Sequence, residues 1–590
     1  MAWWSADTWN SDSKAEWETA VTTPAEDESK WQETPAETPA VSASANWWET
    51  PQTWSAPETP AAADWSAATT EQWQAPAPKG DSFWEMQQWY KSNGQLSRKE
   101  DWEFDQEESK AFAERLGSNS GIDFDLYEHV PVRVSGEKSD LIPVCYSFDE
   151  LYSTFQEMIP ESLIQNVRRC CYKCPTPVQK YAIPVGLAGR DVMCCAQTGS
   201  GKTAAFLFPI IGRMLKEHPS PTGLLTAPFE GKCSPYTLIM TPTRELCVQI
   251  YEEALKFCHR TPYRSVKVYG GVPTKPQMED LSKGGDLMVA CPGRLKDFLD
   301  RGIVSVESVF CLVLDEADRM LDMGFEPQIR EIVEKYGMAS KDARQTMMFS
   351  ATFAEECQKL AGDFLYNYIW IGVGVVGGAV ETVDQQLIQV APAEKYEMLI
   401  QQLDEFYGSR QEARDGLKER CLVFVNAKDT AKFLDEQLYI KNMNTGTLHG
   451  NLTQEERERN LARFRSGEID VMVATDVAAR GLDIEHVSRV INYDMPKQID
   501  SYIHRIGRTG RIGNKGTAIT FIAVDTYGGS LEDHHALTEL LRVMKDAGSE
   551  IPAWLQGLVP SEGGGSEAAW GGKDMRASWG NEQSWTGSGW

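Results

Sequence analysis

The stretch that most constrains this chain is Ala196–Thr203, AQTGSGKT, which follows an apolar run and leads into another, AAFLFPII. A strand, a glycine-rich turn and a helix in that order form a phosphate-binding loop. With few side chains in the turn, successive backbone N–H groups can face a polyphosphate, and the helix N-terminus adds its partial positive charge. Thr198, Gly199, Ser200 and Gly201 supply that backbone, Lys202 would reach the β- and γ-phosphates, and the Thr203 hydroxyl would ligate Mg²⁺. The first position is Ala196 where the usual pattern has Gly, so the match is to a variant. A glycine turn with no ligand at all remains the bland alternative for the motif taken alone.

The rest of the chain agrees with the loop. Short β-branched runs alternate with helical periodicity: TLIM near 238, DLMVA near 286, CLVL near 311 and QTMMF near 345, then CLVFVN from Cys421, DVMVAT from Asp470, RVINY from Arg489 and TAITFI from Thr517. Such alternation predicts parallel α/β sheets. Between the two series lies VGVVGGAVETV from Val373, which reads as a hinge. Two α/β domains on a flexible joint are therefore expected.

Tryptophan marks the ends of the folded part. Of 19, thirteen lie before residue 103 and four at or after Trp570, leaving Trp370 and Trp554 between. Residues 1 to about 118 are rich in Ala, Thr, Pro, Glu and Trp, with ragged repeats such as WQETPAETP. Frequent proline opposes helices, and the acids oppose collapse, so a disordered tail is expected there and again from about Ser561. An extended solvated tail is the plain reading; evenly spaced tryptophans that adhere to partners or condensates are the sharper one. The net charge of −28 argues against a basic nucleic-acid-binding face. Residues 1–80 hold thirteen acids and three bases, a net −10, yet the remainder is still acidic, so a nucleic-acid site would have to be a local groove.

The start, MAWWSADTWN, has neither a basic nor an apolar leader region, and no apolar run approaches the ~20 residues of a membrane span. A soluble, unsecreted protein with no membrane partner is expected. The thirteen cysteines sit mostly in apolar runs, which suits reduced thiols acting as small hydrophobes. Cys170, Cys171 and Cys174 include a C-x-x-C, but no second pair follows at ligand spacing.

In open α/β sheets, ligands gather beyond the carboxyl ends of strands. After CLVL comes Asp315-Glu316-Ala317-Asp318, where Asp315 suits a Mg²⁺ ion and Glu316 can orient and deprotonate an attacking water. After TMMF comes Ser350-Ala351-Thr352, whose hydroxyls could bond to Asp318 and couple the nucleotide site to another.

Together these motifs resemble those of the DEAD-box RNA helicases of superfamily 2. PTPVQ, ending at Gln179, resembles the motif whose glutamine recognises adenine, with Phe155 better spaced than Phe148 for the aromatic that stacks on the base. PTREL from Pro242, Gly270-Gly271 and PGR from Pro292 resemble first-domain RNA elements, while QEER from Gln454, ATDVAARGLD from Ala474 and HRIGRTGR from His504 resemble second-domain signatures. The series spans residues 148 to about 520. Tandem RecA-like parallel-sheet domains follow from the resemblance: residues 1–118 tail, 119–145 lead-in, 146–372 first domain, 373–383 hinge, 384–556 second domain and 557–590 tail.

The resemblance also assigns roles. Arg508 and Arg511 would be arginine fingers on the γ-phosphate. His504 and Arg505 would join the interdomain network with Asp318, Ser350 and Thr352, and Asp483 would hold the ribose. Pro242, Thr243 and Arg244, Gly271, Gly293, Arg294 and Thr475 would grip RNA through its phosphates, positioning a strand without reading bases. Cys291 stands where the family usually has Thr before PGR, and a thiol bonds phosphate poorly. The stretches GIDFDLYEHVPVRVSG and LDEADRMLDMGFEPQI look most like the Vasa and Belle branch, whose Arg-Gly repeats are absent from these tails. The implied activity is ATP hydrolysis coupled to unwinding short RNA duplexes or remodelling RNA–protein complexes by a monomeric core. A slow-turnover, ATP-gated RNA clamp that nucleates an assembly is the second reading. The setting implied is mRNA translation or germ-granule RNA metabolism, in cytoplasm or in perinuclear or cytoplasmic RNA granules, with translation or granule proteins meeting the tails.

Overall fold

The computed structural model describes Phe83, Glu85, Gln88 and residues 101–112, 130–197, 199–217, 231–374, 382–410, 418–476, 484, 486–510, 515–525 and 529–558. Within them are two sheets. The first comprises β1 (Val132–Ser135), β2 (Val192–Cys195), β3 (Thr237–Met240), β4 (Ser265–Val268), β5 (Leu287–Ala290), β6 (Cys311–Leu314), β7 (Gln345–Ser350) and β8 (Ile369–Val373). The second comprises β9 (Val383–Val390), β10 (Arg420–Val425), β11 (Thr445–Leu448), β12 (Val471–Thr475), β13 (Val487–Asn492) and β14 (Gly516–Ala523). Their orders are β1-β8-β2-β7-β6-β3-β5-β4 and β11-β12-β10-β13-β14-β9. Every pairing is parallel except that of β1 with β8, where Val132 faces Val373 and Ser135 faces Trp370. The lead-in thus contributes an antiparallel edge strand to the first lobe.

Continuous apolar strands are explained by burial on both faces. Along β2, Val192 and Cys194 enter one apolar cluster and Met193 and Cys195 the cluster on the opposite face. Along β10, Cys421, Val423 and Val425 do the same against Leu422 and Phe424. No disulfide links any of the thirteen cysteines. Among the described residues no group of three potential ligands could hold a metal, and no helix is long and apolar enough to cross a membrane.

One boundary needs correction. The composition of residues 1–118 predicts an unstructured tail, yet Asp101–Ala111 is a helix resting on the first lobe and Phe83 is buried in its apolar core. Proline-free sequence and a few aromatic anchors explain the change at this point: DWEFDQEESKAF carries Phe104 and Phe112, whose rings meet His259 edge-on. Of the hinge read at 373–383, Val373 ends β8 and Val383 begins β9; its residues 375–381, the tail from 559, and the first tail apart from Phe83, Glu85, Gln88 and residues 101–112 lie outside the described residues.

Candidate nucleotide and RNA site

The phosphate loop leaves β2 and enters the helix Lys202–Glu217, whose first residues are the ones that sequence assigns to phosphate. Gly201 has φ +85°, and a Cβ there would sit 2.6 Å from Gln179 Nε2, so only glycine fits. The preceding helix Pro177–Leu187 holds the loop from outside. Its N-cap Thr176 donates to Ser200 O (2.8 Å), and Gln179 Nε2 donates to Gly201 O (3.1 Å) while its Oε1 accepts from Thr176 N (3.0 Å). Gln179 is therefore tied into loop and cap together. Lys202 Nζ folds back to donate to Ala196 O (2.8 Å), Ser200 Oγ donates to Gln197 O (2.7 Å), and Thr203 stands half-buried in the first turn. Thr198 is outside the described residues. Phe148 is buried, stacked with Tyr152 and Tyr172, whereas Phe155 ends the helix Phe148–Thr154 only half-buried.

At the end of β6 the four acidic-motif residues are buried. Burial pushes the Asp315 carboxyl up to about 7, against the pull of Lys202. Glu316 is held in the left-handed region at φ +50°, so its side chain leaves the strand end in a direction an ordinary helix start would not allow. Burial raises its pKa too, opposed by the charges of Arg508 and Lys202, and its Oε2 has no hydrogen-bond partner. A buried acceptor with nothing to accept from is costly, so this oxygen is left available to a donor that enters the site.

Asp318 is the opposite case. Its Oδ2 accepts from Ala351 N (3.1 Å), Thr352 N (2.9 Å) and Thr352 Oγ1 (3.0 Å), and Oδ1 from Arg319 N (2.8 Å). Burial alone would raise its pKa, but His504 and these hydrogen bonds hold it below the ordinary carboxylate value. The expected Thr352 bond is present. Ser350, fully buried, stands beside the same carboxylate, and its hydroxyl helps to hold the Asp318 pKa down.

The second lobe reaches this cluster through the helix Ile499–Ile506. His504 Nε2 lies 3.8 Å from Asp318 Oδ2, and burial, against that carboxylate, pushes the imidazole down to about 4, so it is neutral near pH 7. Arg508, buried, donates from Nε to His504 O (3.0 Å) and acts electrostatically on Glu316 across the cleft. Arg505 corrects an expectation: it bonds Asp476 (2.6 and 2.8 Å), Asp494 O (2.7 Å) and Asn426 (2.7 Å), all within its own lobe. A fully buried guanidinium needs every donor matched, and the second lobe supplies the partners itself. Arg511 and Asp483 are outside the described residues.

The other candidate contacts gather at the ends of β3, β4, β5 and β12. Thr243 caps the helix Arg244–Phe257, accepting from Leu246 N (3.3 Å), with Pro242 buried beside it. Arg244 lies over Gly271, at φ +79°, where any Cβ would collide with the guanidinium. Arg294 donates to Val272 O (3.0 Å), next to an exposed Gly293, and Thr475 ends β12 buried. Cys291 precedes Pro292 as an N-cap that makes no side-chain bond to its helix, and its thiol lies 3.8 Å from Thr241 Oγ1.

Sequence reasoning missed what joins the lobes on this side. Glu245 pairs with Arg457 of the second lobe at 2.7 Å, both nearly buried, and Arg244 Nη1 donates to Gln454 Oε1 (3.3 Å). Gln454 and Arg457 are the ends of the QEER string, so the motif was visible without its partner. A capping box in which Thr453 and Glu456 satisfy each other's backbone amides fixes that helix, Gln454–Arg465, at its start.

A phosphate loop and acidic strand end on one parallel α/β lobe, met by buried arginine and histidine from a second such lobe, define a nucleoside triphosphatase whose site is completed across two domains. Residues 176–360 match the model of the DEAD/DEAH box helicases and residues 394–513 that of the helicase conserved C-terminal domain. Saccharomyces cerevisiae Dbp5 bound to RNA and ADP BeF3 is 28% identical over 69% of this chain and 95% of that one, with a TM-score of 0.55. Mss116p bound to ssRNA and AMP-PNP is 26% identical over 73% and 85%, with a TM-score of 0.58. The yeast splicing factor Prp28 is 31% identical over 76% and 96%, with a TM-score of 0.39. The chain belongs to the DEAD-box helicase family, ATP-dependent RNA helicases.

Proposed function

We propose that this protein separates short RNA duplexes, or remodels RNA–protein complexes, by closing its two lobes on ATP and one RNA strand. The observation that carries the reading is the simultaneous meeting of the lobes at two places: His504 and Arg508 against the acids at the end of β6, and Gln454 and Arg457 against Arg244 and Glu245. The relatives bound to RNA and ATP analogues support it.

The loop Gln197–Thr203 would cradle the phosphates, with Lys202 released from Ala196 O, Phe155 stacking on the base and Gln179 at its edge. Asp315 and Thr203 fit a divalent cation: one carboxylate and one hydroxyl, oxygen donors of the kind Mg²⁺ takes. Bound there, Mg²⁺ would neutralise developing phosphate charge. Glu316, with an unused buried oxygen, orients and deprotonates the attacking water, and Arg508, with Arg511, stabilises charge on the transferred phosphoryl group. Because these arginines belong to the second lobe, hydrolysis follows closure. Arg244, Arg294, Thr475 and the amides at Gly271 and Gly293 hold one strand by its phosphates, and a strand so gripped cannot keep regular duplex geometry.

Within the family the reading favours the Vasa and Belle branch on the lead-in and acidic-motif stretches, and hence translation or germ-granule RNA metabolism in cytoplasm or RNA granules, with protein partners at the tails. The clamp reading shares every motif. A short duplex, ATP and the full chain separate them: strand release accompanying RNA-stimulated turnover supports unwinding, and long-lived ATP-bound complexes without release support the clamp.

A further inference from the structure

The helix Asp101–Ala111 precedes both family domains, yet it closes a polar network on the first lobe. Glu108 Oε1 accepts from Arg169 Nε (3.0 Å), and Arg169 Nη1 donates to Asn166 Oδ1 (3.1 Å). Asn166, fully buried, donates from Nδ2 to Phe257 O (3.0 Å) and His259 O (2.7 Å), the carbonyls at the C-terminal end of the helix Arg244–Phe257. The other Glu108 oxygen meets His259 Nε2 at 3.1 Å. One carboxylate therefore fastens the helix end twice, directly and through Arg169 and Asn166.

The end so fastened is strained. Arg260 holds φ +54°, a left-handed conformation that glycine usually occupies after a helix. Its guanidinium is secured by the same N-terminal helix: it pairs with Asp105, lies 3.7 Å from Glu108 and covers the Phe104 ring at 5.5 Å. His259 is wedged between Phe104 and Phe112. Burial keeps His259 below its ordinary pKa, so the neutral ring donates from Nε2, while His259 and Arg169 hold Glu108 ionised against its burial.

The helix Arg244–Phe257 has 14 residues and so is about 21 Å long. Its near end carries Arg244 and Glu245, the residues that meet Gln454 and Arg457. A packed helix moves as a rod, so loosening one end by a few degrees displaces the other by about 1 Å, enough to spoil an ion pair. We propose that the helix Asp101–Ala111 is a working part of the enzyme, and that Glu108 is a positioning residue for the RNA-facing end of the helix Arg244–Phe257. This rests on the reading that Arg244 faces RNA.

The test uses the full chain. Glu108→Ala should raise the RNA concentration for half-maximal ATPase about fivefold at unchanged KM for ATP, and should speed hydrogen exchange at the Cys258 and His259 amides. Glu108→Gln should recover most of the loss, because its amide can serve Arg169 with the oxygen and the other tautomer of His259 with the nitrogen. The sign separates the proposal from simple charge: deleting an acid ought to tighten RNA binding, as Glu107→Ala, on an exposed position of the same helix, should do. RNA binding by Glu108→Ala equal to or tighter than wild type would overturn the proposal, as would a rise in the KM for ATP by the same factor. Arg244→Ala must itself weaken RNA binding; if it does not, the RNA-face reading fails and the proposal with it, whereas loss in Arg244→Ala alone condemns only the role of Glu108.

Discussion

The pair Glu245–Arg457 gives the closed arrangement its most testable energetic term. In the closed form the two side chains are 9% or less exposed, at 2.7 Å; in an open form each would face water. Glu245→Gln keeps size and removes charge, so closing would then bury Arg457 with only the weaker pull of Glu458 to offset it and beside Arg244, whose charge already opposes it. Breaking one half of a buried, charged pair costs about 2–5 kcal/mol. Since an amide can still accept a hydrogen bond, the low end applies: about 2 kcal/mol, or roughly 30-fold in the closing equilibrium. Energy transfer between dyes on the two lobes, titrated with RNA at saturating non-hydrolysable ATP analogue, reads that equilibrium. The deficit should change little with salt, because the pair is shielded from it. Glu245→Arg combined with Arg457→Glu should close better than either single variant. Normal closure by Glu245→Gln, or a double variant worse than both singles, would refute the reasoning.

Other consequences follow from the same site. Glu316→Gln should still bind ATP and RNA but lose hydrolysis by roughly a hundredfold or more, read by single-turnover phosphate release; normal turnover would remove Glu316 from its role. Gly201→Ala should lower thermal stability and ATP affinity together, because a Cβ collides with Gln179 and sits at φ +85°; a neutral result in differential scanning and ATP titration would contradict the loop geometry. Closure should also show a hidden pH dependence. Burial drives Asp500, beside Asp318, Asp322, Glu539 and Glu356, up to about 7, and His504 down to about 4. Relative to an open form with ordinary values, closing takes up a proton at Asp500 and releases one at His504 between about pH 4 and 6.5, so wild-type closure should be nearly flat there. In Asp500→Asn only the His504 release remains, and closure should weaken as pH falls below about 6.5, by up to tenfold per unit; a flat profile in that variant would contradict the assignment. Finally, removing residues 1–82, a net −10 over the first 80, should tighten RNA binding at low salt and less so at high salt; weaker binding would point to tryptophans stacking on bases. Phosphorylation of the Thr-Pro steps at Thr23, Thr34, Thr38, Thr50 and Thr59 would enlarge the effect.

The strands flanking the nucleotide site were legible because a buried parallel strand must be apolar throughout and its polar chemistry must begin where it ends. CLVL-DEAD and TMMFS-AT show both signs in a few residues. Strands β4, β9 and β11 escaped notice because SVKV, VDQQLIQV and TGTL carry polar residues within the run, as did β1, VRVS, while IWIGV of β8 was passed over because a hinge was read from its last residue, Val373. Strand order was not legible either, since β1 and β8 pair across more than 230 residues of sequence. Arg505 and Arg508, three residues apart, look alike as letters; only the Asp476 and Asn426 partners show that the first is structural. Composition misjudged residues 101–112 because an acidic, polar helix of low apolar content is stabilised there by what it touches, Arg169, His259 and Arg260, rather than by its own pattern.

The central claim is that ATP hydrolysis depends on Arg508 of one lobe reaching Glu316 of the other, with RNA promoting the meeting. The most direct measurement is the ATPase rate of wild type and Arg508→Ala, each with and without saturating RNA, alongside ATP affinity. The account predicts RNA stimulation in wild type, and in Arg508→Ala a rate lower by roughly a thousandfold, indifferent to RNA, at nearly unchanged ATP affinity. RNA stimulation retained in Arg508→Ala, or a loss confined to ATP binding, would contradict it.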